Sequence, residues 1–265
     1  MQLFIYTLIS LCAVIVTAML SDLSLPLLIL LFFAYLIGLL ALHVLMVFVT
    51  SQFVDPERLP EKINGFHRYV TLSTISLILS FMRVRVTVRG RELLPDCPIM
   101  FISNHFSVYD PMIAMLYLRQ HKLAFVSKKE NIQIPMAGRM MLACGCVSLD
   151  RGSSKKAVEV INRAAQNISS GRCSMGIYPE GGTNRDPENV VLKPFKDGSF
   201  RMALKAKAPI AVAVMSNTRK INRQVFTHVT MDIIKVFTYE EYKDMKTGEL
   251  SALAHETMKE WITNR

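Results

Sequence analysis

Basic residues are missing from the start of this chain: all 31 Lys and Arg fall from Arg58 onward, and only Asp22, Asp55 and Glu57 bring charge to the first 57 positions. A cleaved secretory signal carries a basic n-region, which is lacking here, and a second apolar segment follows the first at once. Cysteine is sparse. Cys12, Cys97, Cys144, Cys146 and Cys173 make an odd set without a repeating spacing, which excludes a disulfide framework. Cys144 and Cys146 have no second Cys/His pair at zinc-ligand spacing, so they read as packing thiols; no metal site and no cofactor is expected. The chain carries a formal charge of +10, yet has neither a nucleic-acid-binding motif nor aromatic–basic interleaving, and no nucleic acid is expected as a partner.

What is present divides in two. Leu27–Val49 is uncharged and as a helix would reach roughly 34 Å, enough to cross a bilayer core. Leu3–Leu20 is also uncharged and would reach about 27 Å, spanning with local thinning or lying in one leaflet. Ser21–Pro26 makes the turn. From Arg58 onward, the 31 cations face 18 of the 21 acids, a balance of +13. The positive-inside tendency puts this part on the cytoplasmic side of the cell membrane. There its basic surface suits membrane lipids, phosphorylated lipid substrates or coenzyme phosphates. The expected organisation is a membrane helical hairpin over 1–55, a linker and interfacial amphipathic helix over 56–83, and an α/β domain over 84–265. Within the middle segment, Tyr69–Met82 is too short to span and reads as an interfacial or core-capping helix.

Val84–Arg89 alternates apolar and basic residues with the period of a half-exposed strand and ends at Gly90. Ile99–Ser103, Leu123–Val126, Val147–Leu149, Ser174–Tyr178 and Ile210–Met215 are further strand-like runs. Between them, Pro111–Gln120, Pro135–Ala143, Ser154–Ser169 and Gly198–Lys207 read as helices, Val225–Val236 as one or two late strands and Leu250–Trp261 as a closing helix. Such alternation predicts an α/β fold with a central, mainly parallel sheet flanked by helices and preceded by the hydrophobic hairpin.

Chemistry concentrates at His105-Phe-Ser-Val-Tyr-Asp110, just after the buried run that starts at Ile99. Asp110-Pro111 reads as a helix N-cap followed by a first-turn proline. A turn between His105 and Asp110 would fold the carboxylate onto the imidazole, holding one tautomer and stabilising the imidazolium formed when the base takes a proton.

Three further blocks follow in order: Gly145-Cys-Val-Ser-Leu-Asp-Arg151, Tyr178-Pro-Glu-Gly-Gly-Thr-Asn-Arg185 and Ala208-Pro-Ile-Ala-Val-Ala-Val214. The set resembles the glycerolipid acyltransferases, above all the 1-acylglycerol-3-phosphate acyltransferases, over about Val84 to Val214. The resemblance implies His105 and Asp110 as catalytic residues, beside Asn104 in an Asn-His-x4-Asp block. It implies substrate binding by Lys128, Asp150, Arg151, Glu180, Gly181, Gly182, Thr183, Arg185 and Pro209, with Arg151 on substrate phosphate. The family's third block reads Pro-Glu-Gly-Thr-Arg; here two extra residues precede the arginine, and either Thr183 or Arg185 fills its place. Lys129, Lys193 and Lys196 are candidates for the same basic rim.

The implied reaction acylates the sn-2 hydroxyl of 1-acyl-glycerol-3-phosphate, lysophosphatidic acid, to give phosphatidic acid. Acyl-CoA or acyl carrier protein is the donor. Backbone N–H groups near Gly181-Gly182 or a basic side chain would hold the oxyanion. Acylation of another lysophospholipid or of a glycerol phosphate, membrane-bound thioester hydrolysis and noncatalytic lipid binding are the alternatives. Covalent routes fare worse: Gly171-Arg-Cys-Ser174 lacks the nucleophile-elbow spacing, Ser107 suits a turn, and Cys146 has no neighbouring base.

Overall fold

The computed structural model describes residues 2–56, 62–149, 154–184 and 192–264. Its seven strands are β1 (Val84–Arg89), β2 (Met100–Ser103), β3 (Ala124–Lys128), β4 (Val147–Leu149), β5 (Met175–Ile177), β6 (Ile210–Ser216) and β7 (Thr227–Phe237). The helices are α1 (Gln2–Leu20), α2 (Leu25–Gln52), α3 (Gly65–Phe81), α4 (Tyr109–Tyr117), α5 (Lys129–Ile132) and α6 (Ala137–Ala143). After them come α7 (Ser154–Ser169), α8 (Arg201–Ala206), α9 (Tyr239–Tyr242) and α10 (Thr247–Thr263).

The strands form one sheet in the order β1-β7-β6-β2-β5-β3-β4. All neighbours run parallel except β6 and β7. The late apolar run is a single strand, and its reversal brings its beginning to the end of the sheet where β2 and β6 finish. β2 is buried along its whole length and β6 along nearly all of it, as a strand covered by helices on both faces must be. Gly176 in β5 has a packing reason: a Cβ there would collide with the Phe125 ring. Its absence lets that ring cross the strand and reach the functional site.

Asn64 starts α3, its side chain accepting from the Phe66 and His67 N–H groups. One face of α3 buries Ile75 and Leu79 in the core, each contributing about 1.5–3 kcal/mol. The helix therefore caps the core. Its other side meets the first two helices: His43 Nε2 lies 3.0 Å from Thr74 Oγ1, and His67 Nε2 donates to the Thr50 carbonyl at 3.2 Å. Tyr6 OH reaches His43 Nδ1 at 2.8 Å. These pairings make α2 antiparallel to α3, with Phe81 level with about Leu36. Residues 25–35 of α2 therefore run on past the end of α3, for roughly 17 Å. Both α1 and α2 are long and apolar enough to cross a membrane, and their apolar side chains are almost all uncovered.

Candidate active site

The parallel strands β2 and β6 end side by side, and the chain leaving β2 turns at Asn104. Asn104 is buried. Its Oδ1 accepts from the Met215 N–H and its Nδ2 donates to the Met215 carbonyl, each at 2.8 Å. The side chain thus extends the β2–β6 ladder by one rung, and its amide is spent on the backbone.

His105 follows. Its Nδ1 donates to Asp110 Oδ2 at 2.9 Å, and the Phe106 and Ser107 N–H groups donate to the same oxygen at 2.7 and 2.8 Å. Three donors on one buried carboxylate lock the turn. Asp110 is not the helix N-cap the sequence suggests. It lies inside the first turn of α4, with Val108 at the cap position, because its carboxylate reaches back to the preceding loop instead of to the helix N–H groups. With Nδ1 protonated toward Asp110, Nε2 holds the lone pair, and the Thr183 hydroxyl donates to it at 3.1 Å.

Tyr178 stacks on His105 with ring centroids 4.1 Å apart and planes 15° apart. Phe125 stacks on the far side of Tyr178 at 5.4 Å. The imidazole is therefore fixed by a face as well as an edge. Burial, aided by the nearby Asp110 carboxylate, pushes the Tyr178 phenol well above its ordinary range and keeps it neutral.

The loop after β5 is bound to the His105 loop. Glu180 Oε1 accepts from the His105 N–H at 2.9 Å and Oε2 from the Lys193 N–H at 3.1 Å. Asn184 N–H donates to the His105 carbonyl at 2.7 Å. Glu180 is buried and both its oxygens serve backbone. Gly181 adopts φ +77°, a left-handed turn that favours glycine, and donates its N–H to the Tyr178 carbonyl at 3.0 Å.

His105 opens on a cavity of about 820 Å³. Much of its lining is apolar, including Ile75 and Ile78 of α3, Met112 and Met115 of α4, Met140 and Met141 of α6, and Val47 of α2. Lys128, Lys196, Arg201 and Lys205 line it too, with Gly181, Gly182 and Thr183.

A family model described as Acyltransferase matches residues 85–216. The chain is 32% identical to a 1-acyl-sn-glycerol-3-phosphate acyltransferase of Haemophilus influenzae over 165 residues, 61% of this chain and 67% of that protein. This chain belongs to the acyltransferase family. A namesake from Saccharomyces cerevisiae is 30% identical over 179 residues, 65% of this chain, and the match spans 58% of its own length. The crystal structure of the 1-acyl-sn-glycerophosphate (LPA) acyltransferase PlsC from Thermotoga maritima shares the fold, with a TM-score of 0.59 at 21% identity over 83% of this chain and 86% of that one.

Of the residues this acyltransferase presents at sequence level, the structure gathers His105, Asp110, Glu180, Gly181, Gly182, Thr183, Lys128 and Lys196 at one end of the sheet. Lys129 and Lys193 are exposed but do not line the cavity. Pro209 is a correction. It sits just before β6 at the opposite end of the sheet, its carbonyl accepting from the Met100 N–H at 2.9 Å, and it shapes no part of the cavity. Asp150, Arg151 and Arg185 lie outside the described residues. Ser174 Oγ accepts from the Ile99 N–H at 3.0 Å in the core, and Ser107 Oγ from the Tyr109 N–H at 3.3 Å. Burial pushes the Cys146 thiol up to about 12, leaving little thiolate to attack a thioester. Sequence reasoning missed Tyr178, Arg201 and Lys205. Tyr178 adjoins the Pro-Glu-Gly-Gly block, and Arg201 and Lys205 are four residues apart on a helix that was foreseen, a spacing that places both on one face.

Proposed function

We propose that this acyltransferase moves an acyl chain from a thioester, acyl-CoA or acyl carrier protein, to the sn-2 hydroxyl of 1-acyl-glycerol-3-phosphate, forming phosphatidic acid. The observation that carries the reading is the His105–Asp110 pair opening on one cavity lined by both apolar side chains and cations. The apolar lining takes the acyl chain. The cations take phosphate, and the family resemblance implies Arg151 and Arg185 as further substrate contacts.

In this reading the acceptor hydroxyl replaces Thr183 at His105 Nε2. The imidazole removes its proton as the oxygen attacks the thioester carbonyl, and Asp110 stabilises the imidazolium. Collapse of the tetrahedral oxyanion breaks the carbon–sulfur bond, and the imidazolium returns the proton to the departing thiolate. Gly181 N–H is already committed to Tyr178, so oxyanion stabilisation falls to the Gly182–Thr183 backbone and the Lys196 ammonium. Asn104 and Glu180 are positioning residues: one anchors the strand end and the other the His105 backbone. Because the donor is already activated and the acceptor is held beside it, no acyl-enzyme is needed.

That every Lys and Arg falls from Arg58 onward supports a catalytic domain on the cytoplasmic face, with α1 and α2 in the membrane. Purified wild-type and His105→Ala protein, given labelled acyl thioester and lysophosphatidic acid in lipid or detergent, test the chemistry. Phosphatidic acid is expected from the wild type, with a loss of about 10²–10⁴-fold in the variant. Retained turnover in a folded variant removes His105 as the base, and free fatty acid in place of phosphatidic acid replaces transfer by hydrolysis.

A further inference from the structure

The connection between β6 and β7, residues 217–226, lines no part of the cavity, yet it grips the loop that carries His105. The Arg219 guanidinium lies 3.9 Å from the centroid of the Phe106 ring, and the Tyr109 hydroxyl donates to Asn222 Oδ1 at 2.9 Å. Beyond these ties the connection presents Val225 and Phe226, 64% and 73% exposed.

Sheet register says where they point. β7 is antiparallel to β6 with Thr230 opposite Ser216, so Phe226 stands roughly 13 Å outward of the strand end beside the active site. β1 is parallel to β7 with Val84 opposite Thr227. Arg83 is therefore level with Phe226, its guanidinium 5.7 Å from the ring centroid. Phe81, 54% exposed at the end of α3, completes the edge. This is the end of the domain past which residues 25–35 of α2 project.

Scattered exposed apolar side chains are ordinary, but a cluster on one rim is not. The charge around it has one sign. Residues 62–91 and 217–231 contain no Asp or Glu, and Arg83, Lys220 and Arg223 are exposed on this rim. Apolar tips ringed by cations, beside an apolar hairpin pointing the same way, match the boundary between anionic headgroups and acyl chains.

We propose that the β6–β7 connection is a second membrane contact: Val225 and Phe226 enter the headgroup–acyl boundary of an anionic bilayer leaflet while Arg83, Lys220 and Arg223 meet its phosphates. Through Arg219 and Asn222, seating on the leaflet holds the Phe106–Tyr109 loop against a lipid-borne acceptor. The proposal rests on α1 and α2 entering the membrane, so the test reads both places.

The full chain has one tryptophan, so Trp261→Phe with Phe226→Trp leaves a single reporter at 226. Trp261→Phe with Phe33→Trp reports on α2. Each is reconstituted in anionic phosphatidylglycerol-containing vesicles carrying nitroxide lipids. Position 226 should be quenched by shallow more than by deep nitroxides, and position 33 by deep ones. Quenching at 33 alone, with position 226 open to acrylamide, overturns the second contact and spares the hairpin reading. No lipid quenching at either position overturns both. Shielding of position 226 from acrylamide and nitroxides alike means that another protein surface covers it, and overturns the contact too. Val225→Ser with Phe226→Ser should lower kcat/KM on vesicle-borne acceptor about tenfold, the loss expected from burying part of a phenylalanine. A monomeric short-chain acceptor should be turned over as before. An equal loss on both acceptors overturns the link to the active site.

Discussion

The hairpin and the α/β domain bury opposite kinds of residue. In α1 and α2 the buried side chains are Gln2, Ser10, His43, Thr50 and Ser51, while leucine, isoleucine and phenylalanine point outward. In the sheet the same apolar types are covered completely, and polar groups are buried mainly where the backbone or the site uses them. Water drives the second arrangement. The first is stable where the surroundings are as apolar as leucine and polar groups serve as ties between helices. The hairpin thus suits an apolar surrounding and the domain water, and α3 packs between the two regions.

The largest effect expected lies inside the domain. Asp110→Asn keeps the shape but cannot hold the same tautomer, and kcat should fall about 10³–10⁴-fold, as for loss of the orienting carboxylate in a hydrolase triad; steady-state rates of a variant with wild-type circular dichroism check this. A paired truncation then sets the two regions side by side. Leu118→Ala, at a fully buried position, should cost about 2–5 kcal/mol in thermal unfolding in detergent. His43→Leu comes next, since it leaves Tyr6 and Thr74 without their shared partner; a loss of about 1–3 kcal/mol is expected, with closer spacing of α2 and α3 recovered only if Thr74→Val is added. The smallest is Leu30→Ala, 64% exposed, which should change unfolding by less than about 0.5 kcal/mol. A cost at Leu30 equal to that at Leu118 would break the comparison, because it would mean that Leu30 packs against protein.

Much of this was legible because it is local. Uncharged runs gave α1 and α2 to within a few residues, alternation and short apolar runs gave the strands, and the spacing of His105 and Asp110 pointed to the candidate site. What escaped depends on direction and level in the sheet. Pro209 and Asn104 flank adjacent strands that run the same way, one at the entry of β6 and the other at the exit of β2, so only one of them is near the chemistry. Nothing in a strand's own residues states which end faces the ligand. Asp110 misled because a helix-starting residue can spend its carboxylate backward. Glu180 and Asn104 look like ligands in a motif, yet their polar atoms are consumed by backbone 75 and 111 residues away in the chain.

The order of synthesis gives the β1–β7 pairing a further meaning. Of the described strands β1 is the first to leave the ribosome, and its ladder partner β7 is the last: Thr87 and His228, linked at 2.8 Å, are 141 residues apart in the chain. Until β7 arrives, β1 presents an unpaired edge directly after two apolar helices, and closing so long a loop is slow. Nascent chains stopped short of Thr227 would hold that edge open at the membrane surface, where a holdase or the lipid itself must keep it from pairing with a neighbour.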